Sequence, residues 1–555
     1  MAIHNHATKG FMQPSPQTSK VNTVVAPVKG VDARNVLSLP DPLYSIYCYN
    51  MTPSYYGLQV RPGYREWAIG LDTGLATSYG VGTIIPVGGN DALSGDDMLF
   101  AVTNEGIWDV TVEGATPTLE LDFDVPGNGE DTTSAAGFGV FTSFTTDAGV
   151  IITYYADARN GLFQYDSSNP WARTTGITGS GLDLENIVYI TSHKGRLWLF
   201  ERGQSKAWYL APGAIAGAAT EFFFGSKFKH GGELAGLFSW TIDGGTGVDD
   251  YFVSVSRSGD IIIYSGNDPA DADDWKSTGQ WFIGAVPEGN DFGTQQGGNL
   301  FLLSIYGLVS LGDLITGVDG KDVSQLTDAV KIAPVIRQAM KAYRTLQGWA
   351  VKYVPAVGSL IVAGPEQPNG GFSQYTLSML NGGWGLWRDV PIKSFDEWKD
   401  FVYGGTRDSR VVVFDSPLDD VKLTPPATGQ NGTQITYSLL SSYQNYEEPA
   451  LFKRGKYIRA QYLSETPPSQ TSKFLYDYDL NEIVNTSSSS SNAAALWDTA
   501  LWDSAIWGTG VPDGVDKLVG GWGMGRNVAI ATRGRADAGT TLISWDVTWD
   551  AGGPL

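Results

Sequence analysis

Four histidines, one cysteine and 59 acidic residues are the groups from which this 555-residue chain would have to build a catalytic or metal centre. His4 and His6 stand near the amino end, and neither His193 nor His230 has a second histidine or a cysteine at metal-ligand spacing. Cys48, being alone, gives neither an intrachain disulfide nor a thiolate zinc site. No Gly-x-Ser-x-Gly nucleophile elbow and no Gly-x-x-x-x-Gly-Lys-Ser/Thr phosphate loop occurs, and glycine clusters such as WGTGVPDG read as loops. Paired carboxylates would suit glycoside hydrolysis, but among so many acids some always fall close together, so the pairing has no specificity. The stretch NDPADADDW, Asn267 to Trp275, offers oxygen ligands for calcium yet lacks the glycine and distal glutamate of an EF-hand loop. A polar turn is the competing explanation. The expectation is a protein that is not an enzyme, with no catalytic residue, no metal and no cofactor.

The elements that would carry any site are strands. The chain has 69 Gly, 27 Pro, 18 Trp, 26 Tyr and 23 Phe, a composition that favours short strands and tight turns over helices. Its length exceeds one ordinary core, so two or more domains or one repeat-built body are expected. Runs of β-branched and aromatic residues recur in pairs around a Gly or Asn turn, as in MLFAVTNEGIWDVTV, GVIITYYADARNGLFQYD, GRLWLFERGQSKAWYL, DYFVSVSRSGDIIIYSG and NLFLLSIYGLVSLGD, with two more pairs at Ser359 to Trp387 and Asp400 to Ser416. From Phe100 through Ile151, Leu197, Phe252, Phe301, Leu360 and Phe401 the intervals are 51, 46, 55, 49, 59 and 41 residues, the size of propeller blades. The predicted fold is all-β: a β-propeller of six or seven blades over residues 83–416. A pair of β-sandwiches would also show many short strands, but needs no such period.

One stretch breaks the pattern. From Pro334, acceptable at the first turn of a helix, Val335, Ile336, Ala339, Met340, Tyr343 and Leu346 follow helical spacing, which predicts a short helical insertion within 322–349. Its other face carries Arg337, Lys341 and Arg344, either a solvated face or a contact with another subunit or partner. Residues 1–20 read as a flexible or partner-ordered arm. Residues 21–82 form an N-terminal β segment, and 424–555 a C-terminal β platform packing against it. LWDTALWDSAIWG, from Leu496, sets Trp497, Trp502 and Trp507 at five-residue steps, too close for one Trp-Asp per blade and on no single face of a helix or strand. They read as aromatic knobs on consecutive turns, suited to an interface between subunits or rings or to a local core.

The charge is −22, which argues against tight general binding to a phosphate backbone. No basic-apolar signal peptide opens the chain and no apolar run approaches the roughly 18 residues of a membrane span, so a soluble protein made in a reducing cytoplasm is expected.

The segment VKGVDARNVLSLPDPLYSIYCYNMTPSYYGLQVRPGYREWA, Val28 to Ala68, resembles the opening of the tail nozzle (tail tubular protein B type) of short-tailed bacteriophages. Further landmarks follow in that family's order: SGNDPADADDWKSTGQWFIG, the helical segment 322–349, YVPAVGSLIVAGP, SQYTLSMLNGGWGLW, FKRGKYIRAQY and the Trp-Asp run with its terminal glycines. Each piece is degenerate; their order carries the weight. The resemblance implies a structural virion protein, located in the tail and assembled in the host cytoplasm. It would form a homo-hexamer below the tail adaptor ring, in contact with tail fibres or spikes. Genomic double-stranded DNA would pass its lumen without specific binding. The acidity suits such a conduit, since few phosphate contacts let DNA slide. Its gate would be long, polar, glycine-rich loops, and two stretches qualify: Asp122, Asp124, Gly127, Asn128, Gly129, Glu130 and Asp131 in the first, and Asp243, Gly244, Gly245, Asp249 and Asp250 in the second. Both are more simply read as ordinary solvent-facing connections. The alternative function is a receptor-binding or glycan-degrading tail spike.

Overall fold

Alternation of large apolar residues with turns closes the repeats into blades of a β-propeller. The computed structural model describes residues 19–34, 41–72, 74, 78–88, 97–123, 131–146, 149–241, 250–289, 291–316, 331–427, 429–483, 513–521 and 523–552. Blade 1 consists of Val81–Val87, Met98–Thr103, Gly106–Asp109 and Thr118–Asp122. Blade 2 follows with Gly139–Thr145, Ile151–Asp157, Gly161–Asp166 and Asn169–Arg173, and blade 3 with Ile187–His193, Arg196–Glu201, Lys206–Tyr209 and Thr220–Phe223. Blade 4 is Leu234–Thr241, Asp250–Ser256, Asp260–Ser265 and Lys276–Phe282. Blade 5 is Ala350–Val354, Ser359–Ala363, Ser373–Ser378 and Trp384–Arg388, and blade 6 begins with Ile392–Trp398, Phe401–Thr406 and Val411–Ser416. The first strands of blades 1 to 4 touch in succession, as do those of blades 5 and 6, and that of blade 6 returns to that of blade 1, while a further sheet bridges blades 4 and 5.

Two features depart from a uniform repeat. Between blades 4 and 5 lies a three-stranded sheet, Gly293–Gln296, Asn299–Ser304 and Gly307–Ser310. From its third strand the chain enters the helix Leu311–Thr316 and, beyond residues 317–330, which lie outside the described residues, the helix Ala333–Tyr343, which buries Ala333, Ile336 and Met340 on that side of the core. That helix shows the expected apolar face and ends before Leu346. The second departure is the closure. The fourth strand of blade 6 is Gly63–Ala68, which pairs antiparallel with Val411–Ser416, setting Arg65 opposite Val413 and Ala68 opposite Val411. The ring thus begins before residue 83, and part of the N-terminal segment belongs to it. Pairing an early strand with the last strands of the ring ties its two ends together through main-chain hydrogen bonds.

The remaining N- and C-terminal strands form the second β body. Ser45–Tyr49 pairs parallel with the outermost strand of blade 5, Tyr49 against Leu386, and the same sheet runs on through Ile435–Ser441, Val528–Ala536 and Ser469–Tyr476. Facing it is a sheet of Met51–Pro53, Leu58–Val60, Thr541–Ala551, Lys453–Ser464 and Asp513–Gly520, with Lys20–Val25 laid along Thr541–Ala551. Lys453–Ser464 alternates buried and exposed positions over 12 residues, turning Ile458, Ala460 and Tyr462 inward. They pack with Tyr437, Ile530, Trp545 and Val547, and the Tyr437 hydroxyl donates to that of Tyr462 at 3.0 Å. The platform is thus a sandwich grafted onto a propeller through one continuous sheet.

Candidate functional site

In an antiparallel blade the strands alternate in direction. Each second-to-third-strand turn therefore shares one face of the propeller with the connections between blades, and the other turns share the opposite face. This sorts the candidate gate residues. Asp122 ends the outermost strand of blade 1, opposite Gly106, and Asp131 precedes blade 2, so the connection between them starts and ends on the first face. Asp131 is pinned there: its backbone N–H donates to Asn160 Oδ1 at 2.7 Å and its carbonyl accepts from Asn160 Nδ2 at 3.0 Å. Asp250 begins the second strand of blade 4, where it accepts from Thr241 Oγ1 at 2.5 Å, so the stretch 243–250 joins strands on the opposite face. The two stretches are not brought together. Asp124, Gly127, Asn128, Gly129, Glu130, Asp243, Gly244, Gly245 and Asp249 lie outside the described residues, as do Trp497, Trp502 and Trp507.

The histidines and the acidic run have local roles. His193 is buried with Nδ1 2.9 Å from Ser239 Oγ, its ring against Phe252 and Trp275, and burial pushes its pKa down to about 4. His230 Nδ1 lies 2.7 Å from Asp260 Oδ1. In NDPADADDW, Asp274 Oδ2 accepts the backbone N–H groups of Asn267 and Asp268 at 2.6 and 2.7 Å, which hold its carboxyl below the usual range. Asp268 Oδ1 accepts from Ala270 N and from Arg196 Nη2, and Asp271 Oδ1 from Asp273 N. These carboxylates cap a turn of blade 4, and no group of three or more potential metal ligands occurs among the described residues.

The first strands of blades 1, 2, 5 and 6 meet around a small polar pocket. Lys352, on the first strand of blade 5, reaches Asp396 Oδ2 at 2.5 Å and Asp291 Oδ2 at 3.4 Å. Burial opposes its charge, but the two carboxylates overcome that and raise its pKa. Burial raises that of Asp291. Lys393 packs beside it, 5.3 Å from the Phe138 ring, and the space left between Gly82, Thr83, Gly139, Trp349 and these residues is about 40 Å³. That is room for a water or two.

On the first face the turns between second and third strands carry a repeated cation that the sequence reading passed over. Arg159, Arg202, Arg257 and Arg407 each follow the end of a second strand, in blades 2, 3, 4 and 6. The signal lay in ADARNG, FERGQ, SRSGD and GTRDS, one arginine per turn at blade spacing. Arg159, Arg202 and Arg257 wall a cleft of about 250 Å³ together with Glu233, Glu288 and Gln347. A neighbouring cleft shares Arg257, Glu233 and Glu288 and adds Arg344 from just beyond the helix. Arg337, Lys341 and Arg344 are all exposed, Arg337 lying over the Tyr306 ring. Of this trio only Arg344 lines the cleft.

No protein-family model matches the chain, and no curated protein matches it. Similar solved structures include BBS1N in complex with ARL6DN, soaked with lead, at 10% identity and a TM-score of 0.27 over 41% of this chain. The alignment spans 64% of that protein, less than two thirds of its length. Another is a protein of Bacteroides fragilis described as exported, at 10% identity and a TM-score of 0.31, covering 50% of this chain and 89% of that one. Among the described residues no helix is long and apolar enough to cross a membrane.

Proposed function

We propose that this chain is the nozzle subunit of a short-tailed bacteriophage tail, a structural protein that works as a homo-hexamer below the adaptor ring and serves as channel and gate for the genome. The observation that carries the reading is the ordered set of sequence landmarks from Val28 to the carboxy end. Several of them fall on the elements that join the two bodies: Val28 to Ala68 supplies platform strands and the closing strand of blade 6, and SQYTLSMLNGGWGLW supplies the last two strands of blade 5. A charge of −22 per copy favours a wall along which DNA slides.

The ring adds a geometric condition. A B-DNA duplex, about 20 Å across, does not fit the space of about 40 Å³ among the first strands of blades 1, 2, 5 and 6. In this reading the lumen lies between copies, and the propeller is a wall element rather than the pore.

Negative-stain imaging of the purified protein, alone and with the adaptor of its phage, tests the proposal. Six-fold rings with a central lumen, formed alone or on the adaptor, are expected. A stable trimer in mass photometry, or saccharide hydrolysis by the purified protein, would replace the nozzle with a tail spike.

A further inference from the structure

The cleft between blades 2, 3 and 4 has more cationic donors than its own residues use. Arg257 is matched by Glu233, whose Oε1 lies 3.7 Å from Nε, and by the nearby Glu288. Its Nη1 also donates to the carbonyls of Pro287 and Gly289. Arg202 differs. Its Nη2 donates to the carbonyl oxygens of Ala158 at 2.6 Å and Arg159 at 3.1 Å, which fix the guanidinium plane. Among the described residues no carboxylate lies within 4.0 Å of it, and its Nε and Nη1 make no hydrogen bond. Arg159, on the turn that supplies those carbonyls, has among the described residues one carboxylate partner, Asp131 at 4.0 Å. Two guanidinium groups on adjoining turns thus face one cleft that Glu233 and Glu288 also line, and among the described residues neither has a carboxylate closer than 4.0 Å. Gln347 lines the same cleft, and its Oε1 is buried without a hydrogen-bond partner.

We propose that this cleft is a binding site for a phosphate-class oxyanion, held by the forks of Arg202 and Arg159 with Gln347 accepting from a protonated phosphate oxygen. Guanidinium forks match tetrahedral oxyanions through paired N–H donors, and an arginine already oriented by carbonyls loses little freedom on binding. Hydrogen phosphate supplies both acceptors for the arginines and a P–OH donor for the amide oxygen. A cleft of about 250 Å³ has room for a phosphate or a phosphoryl group. A second copy of blades 2 to 4 is not needed to complete it.

Titrating the intact protein with inorganic phosphate by calorimetry at low ionic strength tests the site. Saturable one-to-one binding is expected, displaced only weakly by sulfate, which has no O–H to donate to Gln347 Oε1, and little affected by acetate, whose planar carboxylate is not a tetrahedral oxyanion. Arg202→Gln and, separately, the more exposed Arg159→Gln should each weaken phosphate binding by about tenfold or more, as losing a charge-assisted donor pair does. Arg337→Gln, on the outer helix face, should leave it unchanged. AMP competing with phosphate would identify a phosphoryl ester as the occupant, and AMP failing to compete would identify the free anion. Absence of saturable phosphate binding, equal binding of acetate, or an undiminished affinity in the folded Arg159→Gln protein would overturn the proposal.

Discussion

Arg61 presents its two terminal guanidinium nitrogens to the two carboxylate oxygens of Asp419, 2.8 and 2.6 Å away and 358 residues distant in sequence. Its side chain is almost wholly buried, and its Nε reaches Asn50 Oδ1 at 3.2 Å, while Asn50 Nδ2 donates to the carbonyls of Arg388 and Thr436. One network therefore ties the N-terminal segment to the end of blade 5 and to the chain leaving blade 6. Truncating one member of a buried ion pair leaves the other charge uncompensated, so Arg61→Ala should cost about 3–5 kcal/mol in urea unfolding. Arg61→Lys should recover little, because an ammonium does not reproduce the two-pronged contact. A loss under about 1 kcal/mol in the alanine variant would mean that solvent, not Arg61, satisfies Asp419.

Gly30 makes the neighbouring junction. Its φ is +73°, and a Cβ there would stand 2.3 Å from the carbonyl oxygen of Trp384, the residue with which it forms a parallel bridge. The left-handed backbone alone costs a non-glycine residue about 1–2 kcal/mol, and the backbone clash adds to it. Gly30→Ala should lower the melting temperature and speed limited proteolysis at the platform while the blades stay resistant. Unchanged proteolysis would show that the shared sheet holds the platform without this bridge.

The propeller was legible because each blade repeats the same local code: a strand of Val, Ile, Leu and aromatics, a glycine turn, a second such strand. Phe100, Phe252 and Phe301 mark second strands in three sectors and are buried in each. What local reading missed is long-range. Nothing in GYREWA distinguishes a platform strand from the fourth strand of blade 6, since its partner Val411–Ser416 lies over 300 residues away and only ring closure selects it. The sheet at Phe301 has three strands among the described residues, which normal blade spacing does not announce, because the helices occupy part of the length between Phe301 and Leu360. The arginine turns were overlooked for a different reason: each alone is an unremarkable surface residue, and only the blade geometry sets Arg159, Arg202 and Arg257 around one cleft.

His193 supplies a pH test. Its folded pKa of about 4 lies below the ordinary 6.5 because burial penalises the charged ring, and Nε2 has no hydrogen-bond partner to offset that. As pH falls below about 6.5 the unfolded chain takes up the proton first, so stability present above that pH is lost on the way down to about 4. The full contribution is about 3 kcal/mol. His193→Phe, which keeps a ring against Phe252 and Trp275, should remove this term. The stability of wild type minus that of the variant, from urea midpoints at pH 7, 5.5 and 4.5, should fall steadily. A flat difference would show that the buried ring gains a proton without penalty.

If the proposed nozzle function holds, the two acidic loop stretches should behave differently in the virion. The ends of the first, Asp122 and Asp131, lie on the face that carries the arginine turns, whereas Asp250 lies on the other, at the far end of inner strands of seven or eight residues. At about 3.3 Å per residue the two faces are roughly 20 Å or more apart. A single constriction in a lumen built between copies can therefore draw on one stretch or the other, not on both. Deleting 127–130 and, separately, 244–247 from an infectious phage should give tails that assemble in both cases but leak packaged DNA in one. Nuclease-sensitive DNA released from purified particles is the readout. Leakage from both deletions would mean that the gate spans the depth of the propeller, and retention in both would move it away from these connections.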